Sequence, residues 1–163
     1  MSRRTPSDLL QLWQHLGRDL ALTWAGPAGA YDDADLGVVT TYHGTRRETD
    51  LTVIERVPGA RQLLVNRIKT RKGELAALGH PEYGSRHHEL IGEPNTQRTR
   101  NLVKLHVLDA LRHEPRVAEV KRCTVTAGDR ARDVVRIELD VRLIDEPDVL
   151  NLVVPFDVSG GAG

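Results

Sequence analysis

The chain has 163 residues and a mass of 18.1 kDa, which suits one domain and is too short for two comfortable ones. Its 23 Lys and Arg residues balance 23 Asp and Glu residues, which argues against a nucleic-acid protein held by a global positive field. Aromatic residues make up only 4% of the sequence, so a base-stacking surface is not expected. The composition is that of a globular protein with a highly charged surface.

Cysteine content and hydropathy bear on the compartment. The one cysteine, Cys123, can form neither an internal disulfide nor a cysteine zinc site, so nothing indicates an oxidising environment. Polar residues interrupt the segment after Arg3 and Arg4, so no signal peptide is predicted. No apolar run approaches the ~18 residues that span a bilayer. We expect a soluble, cytoplasmic protein that does not insert into membranes.

The first predicted element is a helix that begins at Thr5-Pro6 and ends at Gly26-Pro27. Such a helix packs its apolar stripe either on its own domain or against partner helices. The Gly-, Ala- and Asp-rich stretch that follows resembles a linker and favours the partner. Residues 1–35 are therefore predicted to be a partner-binding helix and linker. The stripe consists of Leu9, Trp13, Leu16 and Leu20, and Trp24 prolongs it.

Residues 36–158 are predicted to form one α+β domain, with helices packed on one face of a small antiparallel or mixed sheet. Short strands are expected within residues 36–54, and a helix from Pro58 to about Thr70 buries Ala60, Leu64 and Ile68. Residues 73–94 are rich in Gly and Pro, which predicts an ordered loop. A second helix, over residues 95–112, is apolar on two sides and should be buried on both.

The last third of the domain is predicted to be β. Strands are expected at residues 119–126, 135–143 and 150–156, because apolar and polar residues alternate there. Pro155 cannot donate a hydrogen bond to a ladder, so the last strand should lie at a sheet edge. Its alternating apolar residues are Leu150, Leu152, Val154 and Phe156. Residues 159–163 are predicted to be a flexible tail, and no internal repeat is evident.

Enzymatic signatures are mostly absent from the sequence. It has no phosphate-binding glycine loop, HExxH motif or nucleophile elbow. His80, His87 and His88 crowd one loop, but adjacent histidines point apart in extended chain and no cysteine supports them, so no metal site is expected. Four loop carboxylates could in principle form a glycosidase pair, although acidic pairs arise easily by chance. These are Glu74, Glu82, Glu89 and Glu93. No cofactor or catalytic residue is predicted.

One remaining motif is Glu114-Pro115-Arg116, which follows the second helix. Pro115 fixes its own φ and ends the helix, so it can set the directions of both charged neighbours. A carboxylate and a guanidinium at a rigid corner suit bidentate recognition of a partner. The alternative is a helix terminator flanked by two solvated charges.

Several segments, taken in order, resemble the small baseplate wedge family of contractile injection machines. The family includes baseplate proteins of contractile phages, TssE of type VI secretion and their counterparts in extracellular injection particles. Glu114-Pro115-Arg116 stands where the family has its Glu-Pro-Arg motif. The resemblance covers about Leu51 to Phe156. The other matching segments are residues 67–70, 73–75, 80–84, 89–96 and 150–156.

The resemblance implies a structural protein, not an enzyme. Family members sit in wedges around the central hub and spike in a ring of sixfold symmetry. Their N-terminal helix joins a bundle with larger wedge subunits, and their sheet is the platform for the first sheath ring.

Three regions of this sequence would then bind partners: the N-terminal stripe, the last strand through Leu150, Leu152 and Val154, and the corner through Glu114, Pro115 and Arg116. Gly73, Tyr83 and Gly84 would shape the supporting loop.

Two other functions stay open at this point. One is a peptidoglycan-cleaving, lysozyme-like enzyme, a label that the family has carried at times. The other is a small adaptor without a sheath. The sequence does not distinguish a phage from a secretion system or a free injection particle.

Overall fold

The computed structural model describes residues 18–25, 33–128, 133–144 and 146–159. It divides the chain into two compact units, Met1–Gln62 and Leu63–Gly163. Within the described residues, nine strands and two α-helices make up the regular structure, together with two short 3₁₀ helices. The predicted α+β class is confirmed.

Six short strands form the described part of the first unit. They are β1 (Arg18–Leu20), β2 (Leu22–Ala25), β3 (Asp33–Leu36), β4 (Val38–His43), β5 (Arg46–Leu51) and β6 (Val53–Glu55). They pair into three antiparallel two-stranded ladders: β1 with β6, β2 with β3, and β4 with β5. The β strands predicted within residues 36–54 are therefore present.

The three ladders meet at Ala21, Gly37 and Thr52, each of which separates two consecutive strands. Their main chains form a closed ring of hydrogen bonds. Ala21 N–H donates to the Thr52 oxygen at 2.8 Å, Thr52 N–H to Gly37 at 2.8 Å, and Gly37 N–H to Ala21 at 2.7 Å. A Cβ on Gly37 would lie only 3.1 Å from the Ala21 oxygen, so the close approach favours glycine. We call this arrangement the three-way junction.

The expectation of no internal repeat is wrong in this unit. Each junction residue follows an Asp-Leu pair, and each aspartate accepts a hydrogen bond through Oδ1 from the next leucine N–H, at 2.7 to 2.8 Å. The repeat was missed because three residues are too short to register as a periodic pattern. The three copies are Asp19-Leu20-Ala21, Asp35-Leu36-Gly37 and Asp50-Leu51-Thr52.

The predicted N-terminal helix is wrong for residues 18–25, which form β1 and β2. The predicted linker is also wrong at its end, because β3 pairs with β2. The physical reason is an ambiguity of period. Leu20 and Trp24 are four residues apart, as on a helix face, but with Leu22 between them they also alternate as on a strand. Leu9, Trp13 and Leu16 lie outside the described residues.

The second unit joins two helices to a three-stranded sheet. α1 (Arg56–Lys69) enters this unit from the first, and a loop with two 3₁₀ turns connects it to α2 (Gln97–Arg112). The sheet has the order β7-β8-β9 and is antiparallel throughout. Its strands are β7 (Val117–Ala127), β8 (Val134–Leu143) and β9 (Val149–Asp157). All three predicted late strands are confirmed.

The core lies between the helices and one face of this sheet. The apolar residues of β8 and β9 are buried in alternation, and α2 packs along β7 with Val103, Val107 and Leu111 fully buried. Leu64 and Ile68 of α1 are also fully buried, as predicted. Burial of α2 on two sides is not observed, because Leu105 is 59% exposed.

β9 is an edge strand within the described residues, as Pro155 predicts. Val158 N–H donates to the Asp133 oxygen at 2.8 Å, which fixes the alternation of inward and outward main-chain groups along β9. Even-numbered residues bond to β8, and odd-numbered ones point their main-chain groups to the free edge. Pro155 therefore lacks its N–H on the free side and costs no bond to β8.

Candidate functional site

The predicted Glu-Pro-Arg corner, residues 114–116, connects α2 to β7. Glu114 N–H donates to the Leu111 oxygen at 3.1 Å, which continues the last helical turn. Val117 N–H donates to Glu114 at 3.1 Å, and Ile144 N–H donates to the Arg116 oxygen at 2.9 Å. These bonds fix the corner's backbone to the helix end and to the residue after β8.

Glu114 is buried, with 4% of its side chain exposed. Its Oε2 accepts hydrogen bonds from Nε and a terminal nitrogen of Arg67, at 3.1 and 3.0 Å. Its Oε1 accepts from the Arg116 N–H at 3.2 Å. The expectation that both charges of the corner are solvated is therefore wrong for Glu114, whose carboxylate is used inside the chain.

Arg67 is the residue that the sequence analysis missed as a site component. Its side chain is 9% exposed, and its guanidinium lies 4.6 Å from the centre of the Tyr83 ring, a cation–π contact. A signal was present, because Arg67 falls on the same helix face as Leu64 and Ile68. A charge on a buried face requires a buried partner, but the sequence alone does not say which of 23 acidic residues it is.

Tyr83 and Gly84 belong to the loop that supports the corner. Gly84 has a φ of 98°, and a Cβ there would lie 2.6 Å from the Arg71 oxygen, so only glycine fits. The next residue, Ser85, pairs with the end of α1: its N–H donates to Thr70 at 2.9 Å. Gly73 also has positive φ, 86°, but a Cβ would meet nothing within 4 Å.

A buried polar cluster holds the same loop against the sheet. The Ser85 hydroxyl donates to the His106 oxygen at 3.3 Å and lies 2.8 Å from His87 Nδ1. The His87 ring packs edge-on against Phe156 of β9, with centroids 4.3 Å apart. Burial, with smaller contributions from His88 and His106, lowers the pKa of His87 to about 3. His87 is therefore a neutral packing residue.

The described residues do not assemble the alternative chemistries. They contain no group of His, Cys, Asp and Glu side chains that could hold a metal ion. Ser85 and His87 are each 1% exposed, so their contact is closed to substrate. Of the loop carboxylates, Glu82 pairs with Lys72, and the Arg86 guanidinium holds the pKa of Glu89 below its usual range. A glycosidase acid needs a raised pKa.

The structure corrects the predicted side-chain contacts of β9. Leu150, Leu152 and Val154 are at most 4% exposed and belong to the chain's own core. The alternation of β9 directs them inward, so they are not available to a partner. The free edge of β9 offers main-chain groups instead. Leu20 is 40% exposed in β1.

Comparison with known proteins agrees with this architecture. The family model described as baseplate wedge protein gp25 matches residues 60–148, more than half of the chain. The chain therefore belongs to the gp25 family of baseplate wedge proteins, a family of structural components of contractile phage tails. The match begins close to the start of the second unit, so most of the first unit lies outside it.

One similar solved structure comes from Geobacter sulfurreducens, where the protein was assigned provisionally as a tail lysozyme. The TM-score is 0.54 at 23% identity, over 63% of this chain and 90% of that one, which establishes a shared fold. No curated protein sequence matches this chain significantly. None of the described helices is long and apolar enough to cross a membrane.

Proposed function

We propose that this chain is a structural wedge component of a contractile, phage-tail-like machine, which joins larger wedge subunits and carries the first sheath ring. The observation that supports the proposal best is the corner at residues 114–116, where a buried ion pair fixes the end of α2. Membership of the gp25 family gives the setting.

Arg116 is the corner residue that we assign to the wedge contact. Glu114 is engaged inside the chain, where it accepts from Arg67 and from the Arg116 main chain. Pro115 and Arg116 are half-buried, so part of each reaches the surface. A guanidinium on a fixed backbone loses little freedom on binding a partner's carboxylate. Glu114 and Arg67 act as positioning residues for it.

The free edge of β9 is the surface that we assign to the sheath. Val149, Asn151 and Val153 point their main-chain N–H and C=O groups outward, by the alternation along β9. An added strand could pair with these groups, the β-augmentation mode of recognition. Pro155 limits the site to the first half of the strand, because it has no N–H to offer. The hub and spike would be reached through the other wedge subunits.

Deletion of the gene in its producing cell, followed by complementation, tests the proposal. Without the protein, tubes and sheaths should not assemble on baseplates in electron micrographs, and the wild-type gene should restore them. Purified protein should leave a cell-wall suspension turbid. Normal particles from the deletion strain would refute the wedge role, and wall hydrolysis that Glu82→Gln or Glu89→Gln abolishes would favour the lysozyme-like enzyme.

A further inference from the structure

One face of the three-way junction is apolar and exposed. The innermost residue pair of each ladder is Leu or Val on both strands: Leu20 with Val53, Leu22 with Leu36, and Val38 with Leu51. Paired residues share a face, and so do residues two apart along a strand, so all six lie on one side. We call this side the junction face.

Exposure of the junction face is nearly uniform around the ring. The three repeat leucines are 40%, 44% and 40% exposed, at Leu20, Leu36 and Leu51. Val38 is 63% and Val53 49% exposed. A two-stranded ladder is marginally stable alone, and three of them joined at single residues need an apolar cover. Contiguous exposed apolar patches mark contact surfaces.

We propose that the chain's own first seventeen residues cover the junction face. This segment leads directly into β1, and its last stripe residue, Leu16, is separated from Leu20 by only three residues. Such a short connection gives the segment a high effective concentration at the face. Its apolar residues are Leu9, Leu10, Leu12, Trp13 and Leu16.

The sizes and charges of the two surfaces also agree. The sequence predicts a helix for the segment, and twelve helical residues from Pro6 to Gly17 extend ~18 Å. The junction face is three ladders wide, with strands ~4.8 Å apart. Arg3 and Arg4 give the segment an excess of positive charge, whereas acidic residues outnumber basic ones over residues 18–55. This assignment does not depend on the proposed function.

Tryptophan fluorescence of the isolated full-length chain tests the assignment, because no wedge subunit is then present. Trp24→Phe leaves Trp13 as the single tryptophan. If the segment covers the face, Trp13 should emit at the short wavelength of a buried indole while the protein sediments as a monomer. Val38→Gln should shift that emission to longer wavelength. The matched control Val39→Gln should not, since Val39 is 45% exposed on the opposite face.

A second variant guards against unfolding of the strands by Val38→Gln. Leu16→Gln leaves the ladders unchanged and should also shift the Trp13 emission to longer wavelength, with the circular dichroism of the strands retained. Emission of a solvent-exposed indole from the unaltered segment would overturn the proposal. A dimer that Val38→Gln dissociates would also overturn it, because a second copy would then cover the face.

Discussion

The guanidinium of Arg67 and the carboxylate of Glu114 lie 3.0 Å apart in the core of the second unit, although 47 residues separate them in sequence. The pair connects the last turns of α1 and α2, and Glu114 passes the constraint to Arg116 through its second oxygen. The rigidity of the Glu-Pro-Arg corner therefore depends on a residue outside the motif.

The first prediction concerns the stability of this pair. Arg67→Ala or Glu114→Ala should each lower the free energy of unfolding by about 3–5 kcal/mol, because each leaves a buried charge unpaired. The double variant should lose much less than the sum of the two. The Arg122–Asp140 pair is a matched control, since Arg122 is 60% exposed, and its coupling should be about 0.2–1 kcal/mol. Urea unfolding of both cycles checks this, and equal coupling energies would contradict it.

The second prediction compares two glycines of the supporting loop. Both Gly84 and Gly73 have positive φ, so alanine at either position has an unfavourable backbone conformation. Only at Gly84 would the new Cβ collide with the main chain of Arg71. Gly84→Ala should therefore destabilise the protein by about 1–3 kcal/mol more than Gly73→Ala. Similar thermal melts for the two variants would show that the loop yields at Gly84.

The third prediction concerns pH. His87 has its pKa lowered from 6.5 to about 3 by burial, so between these values the unfolded chain binds a proton that the folded chain does not. Stability from neutral His87 is complete above pH 6.5 and is lost as the pH falls towards 3. From pH 6.5 to 5 the loss should be about 2 kcal/mol.

Urea unfolding between pH 7 and 5 measures this slope above the range where most carboxylates titrate. His87→Gln should flatten the slope, whatever its own stability, because the buried imidazole is then absent. The exposed His80 provides the control, and His80→Gln should retain the wild-type slope. An unchanged slope in His87→Gln would contradict the buried neutral state.

The fourth prediction concerns the free edge of β9. Val153→Pro removes an N–H that points outward, so β8 and β9 should stay paired and the melting temperature should remain close to wild type. Leu152→Pro removes a bond to β8 and should unfold the sheet. Electron microscopy of particles with Val153→Pro should show baseplates that carry no sheath. Full-length sheaths on these baseplates would remove β9 from the sheath contact.

The second unit could be predicted from the sequence in most respects. Regular alternation in β8 and β9 and the helical period of α1 and α2 are local signals, and Thr96 caps α2 as its residue type suggests, accepting from Thr99 N–H. The pairing of Arg67 with Glu114 depends on how the two helices pack, and no local pattern specifies it. In the first unit, strands of three to six residues offer too few periods to separate strand from helix.

The central claim is that the corner serves assembly through Arg116, and recruitment of wedge partners tests it most directly. Tagged wild type, Arg116→Ala and the surface control Arg122→Ala should be used to capture the larger wedge subunits, after thermal melts show that each variant is folded. If the wedge desolvates the Arg116 contact, its loss should weaken binding by about 2–5 kcal/mol. We expect Arg116→Ala to recover little or no wedge subunit and Arg122→Ala to recover wild-type amounts. Equal recovery by Arg116→Ala and wild type would contradict the account.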